Sequence, residues 1–184
     1  MVQSKALILY TRLPDYFYQS LLTFCEIYNF KCDLVRYDQD ANTSFDFREN
    51  DYITFIDRSD FKPQDFLKKE YKFIYTSTWN DQEYKTVCKS YKASIPVVLG
   101  MDNPWLGTWK QKVHSLISGL TVRKYFNYIW VPGEPQVKYA RRLGFADSNI
   151  LKGLYTCDTD KFVYKELNSS AKTILFLGRF VEYK

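Results

Sequence analysis

Short runs of β-branched and aromatic residues recur along this chain, each separated from the next by enough residues for a helix. They occupy 6–10, 32–37, 52–56, 72–76, 95–100, 128–132, 150–155 and 173–178. Several are apolar throughout instead of alternating, as expected of strands buried on both faces of a parallel sheet. Between them, Phe17, Leu21, Phe24, Cys25 and Tyr28 repeat at helical spacing. Residues 80–94 and 106–126 are long enough for two more helices. Glu134-Pro135 opens another, with Val137, Ala140 and Leu143 as its buried stripe and Gly144 as its stop. Residues 38–51 are polar without a period and read as a loop or irregular edge. Strand-helix alternation of this kind predicts an α/β, Rossmann-like open and mainly parallel sheet with helices on both faces.

Composition narrows the function classes. The chain has 184 residues, 46% hydrophobic and 26% charged, an ordinary globular mix. No run approaches the roughly 20 apolar residues of a spanning helix. The apolar stretch before Arg12 is too short for a signal peptide, so reduced thiols and a cytoplasmic location are expected. Cys25, Cys32, Cys88 and Cys157 form no CxxC pair and His114 is the single histidine, so no metal site is expected. A net charge of +5 is too mild to imply nucleic acid, which is not expected as a partner. Aromatic residues reach 18% while glycines number only 7. Two readings stay open for that excess: an aromatic core, or rings lining a sugar or membrane surface.

The turn after the first strand, Thr11-Arg12-Leu13-Pro14-Asp15-Tyr16, contains no glycine. A dinucleotide site needs GxGxxG there, and the P-loop pattern is absent as well. No bound cofactor is therefore expected. The turn Thr76-Ser77-Thr78-Trp79-Asn80 offers hydroxyls and a ring, and reads either as a structural loop or as part of a cleft. No GxSxG or paired Cys and His suggests a hydrolase.

The last fifty residues carry a series of familiar elements: Tyr128-Ile129-Trp130-Val131-Pro132, a helix ending in Leu143-Gly144, then Asp158-Thr159-Asp160-Lys161-Phe162, then Gly178-Arg179-Phe180-Val181-Glu182-Tyr183-Lys184. In this order they resemble glycosyltransferase family 4 of the GT-B fold. The resemblance covers roughly residues 128–184; Thr156-Cys157 stands where the family has Gly-Val. It implies a retaining, metal-independent hexosyltransferase that moves a sugar from a nucleotide-diphosphate sugar to a glycan or lipid-linked acceptor. It also implies that Arg179 and Lys184 bind the donor diphosphate. Residues 1–170 would then be the acceptor-side domain and residues 171–184 the first strand of a second, truncated domain. A chain of that make-up alone is expected to be inactive, and no catalytic residue is assigned. The competing reading is a non-enzymatic α/β binding or interaction module.

Two further groups of residues are candidates for binding. Arg12, Asp15, Thr78, Trp79, Asp102 and Asn103 fall in turns after strands, where an interdomain cleft would lie. Asp102-Asn103-Pro104 is equally good turn chemistry. Between Asn103 and Gly133 there is no acidic residue. Trp105, Trp109, Lys110, Lys112, Arg123 and Lys124 lie there, with Val113, Leu116, Ile117 and Leu120 striping one helix face. That stripe is either core-facing or part of a peripheral membrane patch. His114 reads as structural or exposed.

Overall fold

The computed structural model describes residues 3–37, 47 and 50–156. Seven strands form one all-parallel open sheet of order β3-β2-β1-β4-β5-β6-β7. They are β1 (Ser4–Leu9), β2 (Phe30–Arg36), β3 (Ile53–Asp57), β4 (Phe73–Thr76), β5 (Val97–Gly100), β6 (Tyr128–Val131) and β7 (Ile150–Lys152). The helices are α1 (Asp15–Tyr28), α2 (Pro63–Phe66), α3 (Gln82–Tyr91), α4 (Trp109–Leu116), α5 (Ser118–Thr121) and α6 (Glu134–Arg142). The fold is the Rossmann-like α/β class, with helices on both faces.

The two faces are filled unequally. Leu7, Leu9, Ile74, Val97, Leu99 and Ile129 point to the side covered by α2, α3 and α6. Ile8, Leu34 and Tyr75 point to the other, where Tyr18, Leu21 and Cys25 of α1 pack. Alternation along each strand assigns these sides, and both being buried explains the continuous apolar runs. Among the described residues α1 is the only helix on its face, and it lies over the β1–β2 half of the sheet.

Local chemistry fixes the helix ends. Asp81 caps α3, accepting from the Glu83 amide at 2.9 Å and the Tyr84 amide at 3.0 Å. Asn29 ends α1 in the left-handed region at φ 53°, a conformation asparagine tolerates. Gly144 follows α6 at φ 83°, as its position in the sequence predicts.

Two expectations need correction. The helix expected over 106–126 starts only at Trp109 and is broken into two short ones; Gln111 holds the loop before it out of helical register. Its side-chain oxygen accepts from the Leu106 and Gly107 amides at 2.8 and 3.0 Å, and its Nε2 donates to the Pro104 carbonyl at 2.8 Å. Ile117 then leaves helical geometry between α4 and α5. The strand expected over 150–155 stops at Lys152, since its ladder partner ends: the Gly153 amide donates to the Val131 carbonyl at 3.1 Å, and two residues on, at Gly133, the chain after β6 turns into α6. The short helix α2 was not anticipated. The strand expected over 173–178, the segment 158–162 and the residues 178–184 lie outside the described residues, and most of the loop expected over 38–51 does too.

Candidate functional site

In an open parallel sheet ligands bind at the carboxyl ends of the strands, where the strand order reverses. Here it reverses between β1 and β4. Ser77 ties the turns after those two strands together. Its amide donates to the Leu9 carbonyl and its hydroxyl accepts from the Thr11 amide, both at 3.0 Å. Beside this junction a cavity of about 970 Å³ opens between α1 and the faces of β4, β5 and β6 that no described helix covers.

A circuit of aromatic side chains runs around the cavity. Tyr10 meets Phe17 at 4.6 Å between ring centroids, Phe17 meets Tyr75 at 5.2 Å, and Tyr75 meets Trp130 at 6.3 Å. Trp130 meets Tyr155 at 5.2 Å and Tyr155 meets Tyr16 at 5.2 Å. An electrostatic interaction between the Tyr16 and Tyr10 hydroxyls closes the ring. The chain after β7 reaches back to α1, with Ser20 Oγ and Thr156 Oγ1 2.6 Å apart. Two glycines make room for the large rings. A Cβ on Gly100 would collide with the Tyr75 hydroxyl, and one on Gly153 would lie 2.6 Å from the Trp130 indole nitrogen.

The electrostatics keep the tyrosines neutral. Burial pushes the phenol of Tyr75 well above its ordinary range, and Tyr155, Tyr16 and Asp102 add to the shift. Tyr10 is raised in the same way, chiefly by burial. Burial, then Asp102 and Tyr16, push Tyr155 up to about 12. These phenols therefore remain hydrogen-bond donors at neutral pH beside a carboxylate acceptor, Asp102. Among the described residues no hydrogen bond engages the Tyr75 or Tyr155 hydroxyl. Flat apolar rings with polar tips and one carboxylate suit a ligand with apolar C–H faces and several hydroxyls.

The candidate residues from the sequence are dispersed along this edge. Asp102 is exposed in the turn after β5, and its charge raises the pKa of Tyr10, Tyr16, Tyr75 and Tyr155. Its carbonyl is held by the Gln136 side chain at 2.9 Å, and Asn103 beside it is exposed. Arg12 is exposed in the turn after β1. Asp15 starts α1 and accepts from Gln19 at 3.3 Å. The Thr78 hydroxyl accepts from the Asn80 amide at 3.1 Å, which shapes its own loop. Trp79 lines a second, smaller cavity of about 430 Å³ on the opposite face, together with Lys85, Lys110 and His114. There the Trp79 ring lies 5.2 Å from that of His114, whose Nδ1 is 3.1 Å from the Tyr139 hydroxyl. Burial lowers the His114 pKa from its ordinary value. Arg179 and Lys184 lie outside the described residues.

The six rings of the circuit were not singled out by sequence reasoning, which placed Tyr10, Phe17, Tyr75, Trp130 and Tyr155 in core strands and a core helix. Their signal is the aromatic excess itself. Position along a strand says which face a ring takes, but not whether a helix covers that face. Among the described residues no group of three histidine, cysteine or acidic side chains could hold a metal ion, and no helix is long and apolar enough to cross a membrane. Neither a family model nor a curated protein matches the chain.

Proposed function

We propose that this chain forms the acceptor side of a GT-B glycosyltransferase. The enzyme would move a hexose from a nucleotide-diphosphate sugar to a glycan or lipid-linked acceptor. The observation that carries this reading is the aromatic circuit around the cavity, with Asp102 in the turn after β5. Tyr75, Trp130 and Tyr155 stack against the C–H faces of sugar rings, while Asp102 and the neutral phenols exchange hydrogen bonds with the hydroxyls. The resemblance of residues 158–162 and 178–184 to glycosyltransferase family 4 supplies the donor half, with Arg179 and Lys184 neutralising the leaving diphosphate. The buried free thiols of Cys25, Cys32 and Cys88 suit the cytoplasm, a reducing compartment.

Titrating the protein with a panel of mono- and oligosaccharides, followed by tryptophan fluorescence and saturation-transfer NMR, tests the acceptor half. Binding is expected to weaken about tenfold, roughly 1.4 kcal/mol, in Trp130→Ala and again in Asp102→Ala. A folded protein that binds no saccharide overturns the reading. Transfer is assayed as nucleoside diphosphate release from a nucleotide-sugar panel, with protein expressed from its natural reading frame and the acceptor found by titration. Saccharide binding with no release leaves a binding module and excludes the transferase.

A further inference from the structure

Helix α4 is amphipathic the wrong way round for a helix covering a core. Its inner face carries Gln111, His114 and Ser115, followed by Ser118, whose hydroxyl donates to the Leu143 carbonyl at 2.8 Å. No residue of α4 is buried. The apolar stripe faces outward instead: Trp109 is 69% exposed, Leu116 86% and Leu120 74%, with Leu106, Val113 and Ile117 exposed around them. Six large apolar side chains on one outward strip require a partner. At 100° per residue, Lys110 and Lys112 flank the stripe on either side, both exposed, and Lys110 lies over the Trp109 ring at 6.0 Å. Arg123 and Lys124 follow α5 and are exposed as well.

We infer that the α4–α5 face docks on an anionic lipid surface, with Trp109, Val113, Leu116, Ile117 and Leu120 entering the headgroup boundary. Lys110 and Lys112 extend their charges to lipid phosphates from the flanks of the stripe. Charge selects this occupant over a second copy of the chain. In a two-fold contact the patch would meet itself and set lysines against lysines, and residues 103–133 hold no carboxylate to pair with them. Trp105 is excluded from the surface, because its ring packs against Tyr139 at 5.4 Å, tilted by 52°, with the Arg142 guanidinium 4.5 Å from its centroid. The inference stands independently of the transferase reading, since the patch and the aromatic cleft share no residue.

Flotation with phosphatidylcholine vesicles, with and without phosphatidylglycerol, tests it. The protein is expected to float with the anionic vesicles alone, to dissociate as salt is raised, and to show a blue-shifted emission that Trp109→Phe removes. Each of Lys110→Gln and Lys112→Gln lowers the partition coefficient about fivefold. Leu116→Ser with Leu120→Ser abolishes binding at unchanged charge, and circular dichroism matching the parent shows that both remain folded. Equal flotation with neutral vesicles, or flotation with neither, overturns the inference. So does a concentration-dependent dimer, seen by light scattering, that Leu116→Ser dissolves.

Discussion

Asp33 shows what a single carboxylate can hold together. It lies on β2 with only 2% of its surface exposed. Lys5 at 2.8 Å, the Tyr71 hydroxyl at 2.6 Å and Lys69 at 3.1 Å all donate to it. Burial alone would raise its pKa, but the bonds from Lys5, Tyr71 and Lys69 outweigh burial and hold it below the ordinary value. Because the folded pKa is depressed, the stabilisation is complete above the unfolded value of about 3.9 and is lost as pH falls through the folded one. Thermal melts from pH 7 to pH 2 are therefore expected to show a steep loss of stability below about pH 4. Asp33→Asn is expected to cost about 1–3 kcal/mol at pH 7, by removing the charge that Lys5, Lys69 and the Tyr71 hydroxyl share, and to flatten that pH dependence. At Gly100 the constraint is space. Gly100→Ala forces the Tyr75 hydroxyl aside, with an expected loss of about 1–3 kcal/mol in chemical denaturation and weaker saccharide binding.

The helices divide by how much of their structure was visible in their own residues. For α6, the Glu134-Pro135 start, the Val137, Ala140 and Leu143 stripe and the Gly144 stop are local signals, and all three appear in the structure. Helix α3 depends more on distant contacts. The capping carboxylate Asp81 also takes the Arg58 guanidinium at 2.9 Å and the Tyr37 hydroxyl at 3.0 Å. Asp81→Ala is expected to cost about 1–3 kcal/mol by urea titration, more than an isolated cap, because it also leaves Arg58 without this acceptor. For α4 the apolar period was legible but the side it faces was not. An i, i+4, i+7 stripe is the same whether it meets a core or a lipid surface. Leu116→Ser is accordingly expected to change stability by less than about 0.5 kcal/mol, as an exposed position allows.

The whole molecule is organised from the centre of the sheet outward. Strands β1, β4 and β5 are flanked on both sides, and Leu7, Ile8, Leu9, Ile74 and Leu99 are almost fully buried. Among the described residues strand β7 pairs with β6 alone, and of its three residues Leu151 and Lys152 are exposed. Hydrogen exchange followed by mass spectrometry is expected to find the amides of β1, β4 and β5 slowest and those of β7 among the fastest. Equal protection in β7 and β1 would contradict this gradient. The same asymmetry creates the site. Among the described residues, with α1 over β1 and β2, Tyr75, Val98 and Trp130 of β4, β5 and β6 line an open cavity on the same face.

The sequence by itself determined the fold class, because apolar period and chain spacing are local and each strand and helix signals its own type. It also placed Asp102 in the turn after the fifth strand, since that position follows from counting strand ends. Only the tertiary structure decided which aromatics gather around one cavity and which way the α4 stripe faces. Both depend on how much of each sheet face the helices cover. That coverage is set by the lateral order of the strands, a relation between residues far apart in the chain that no local pattern encodes.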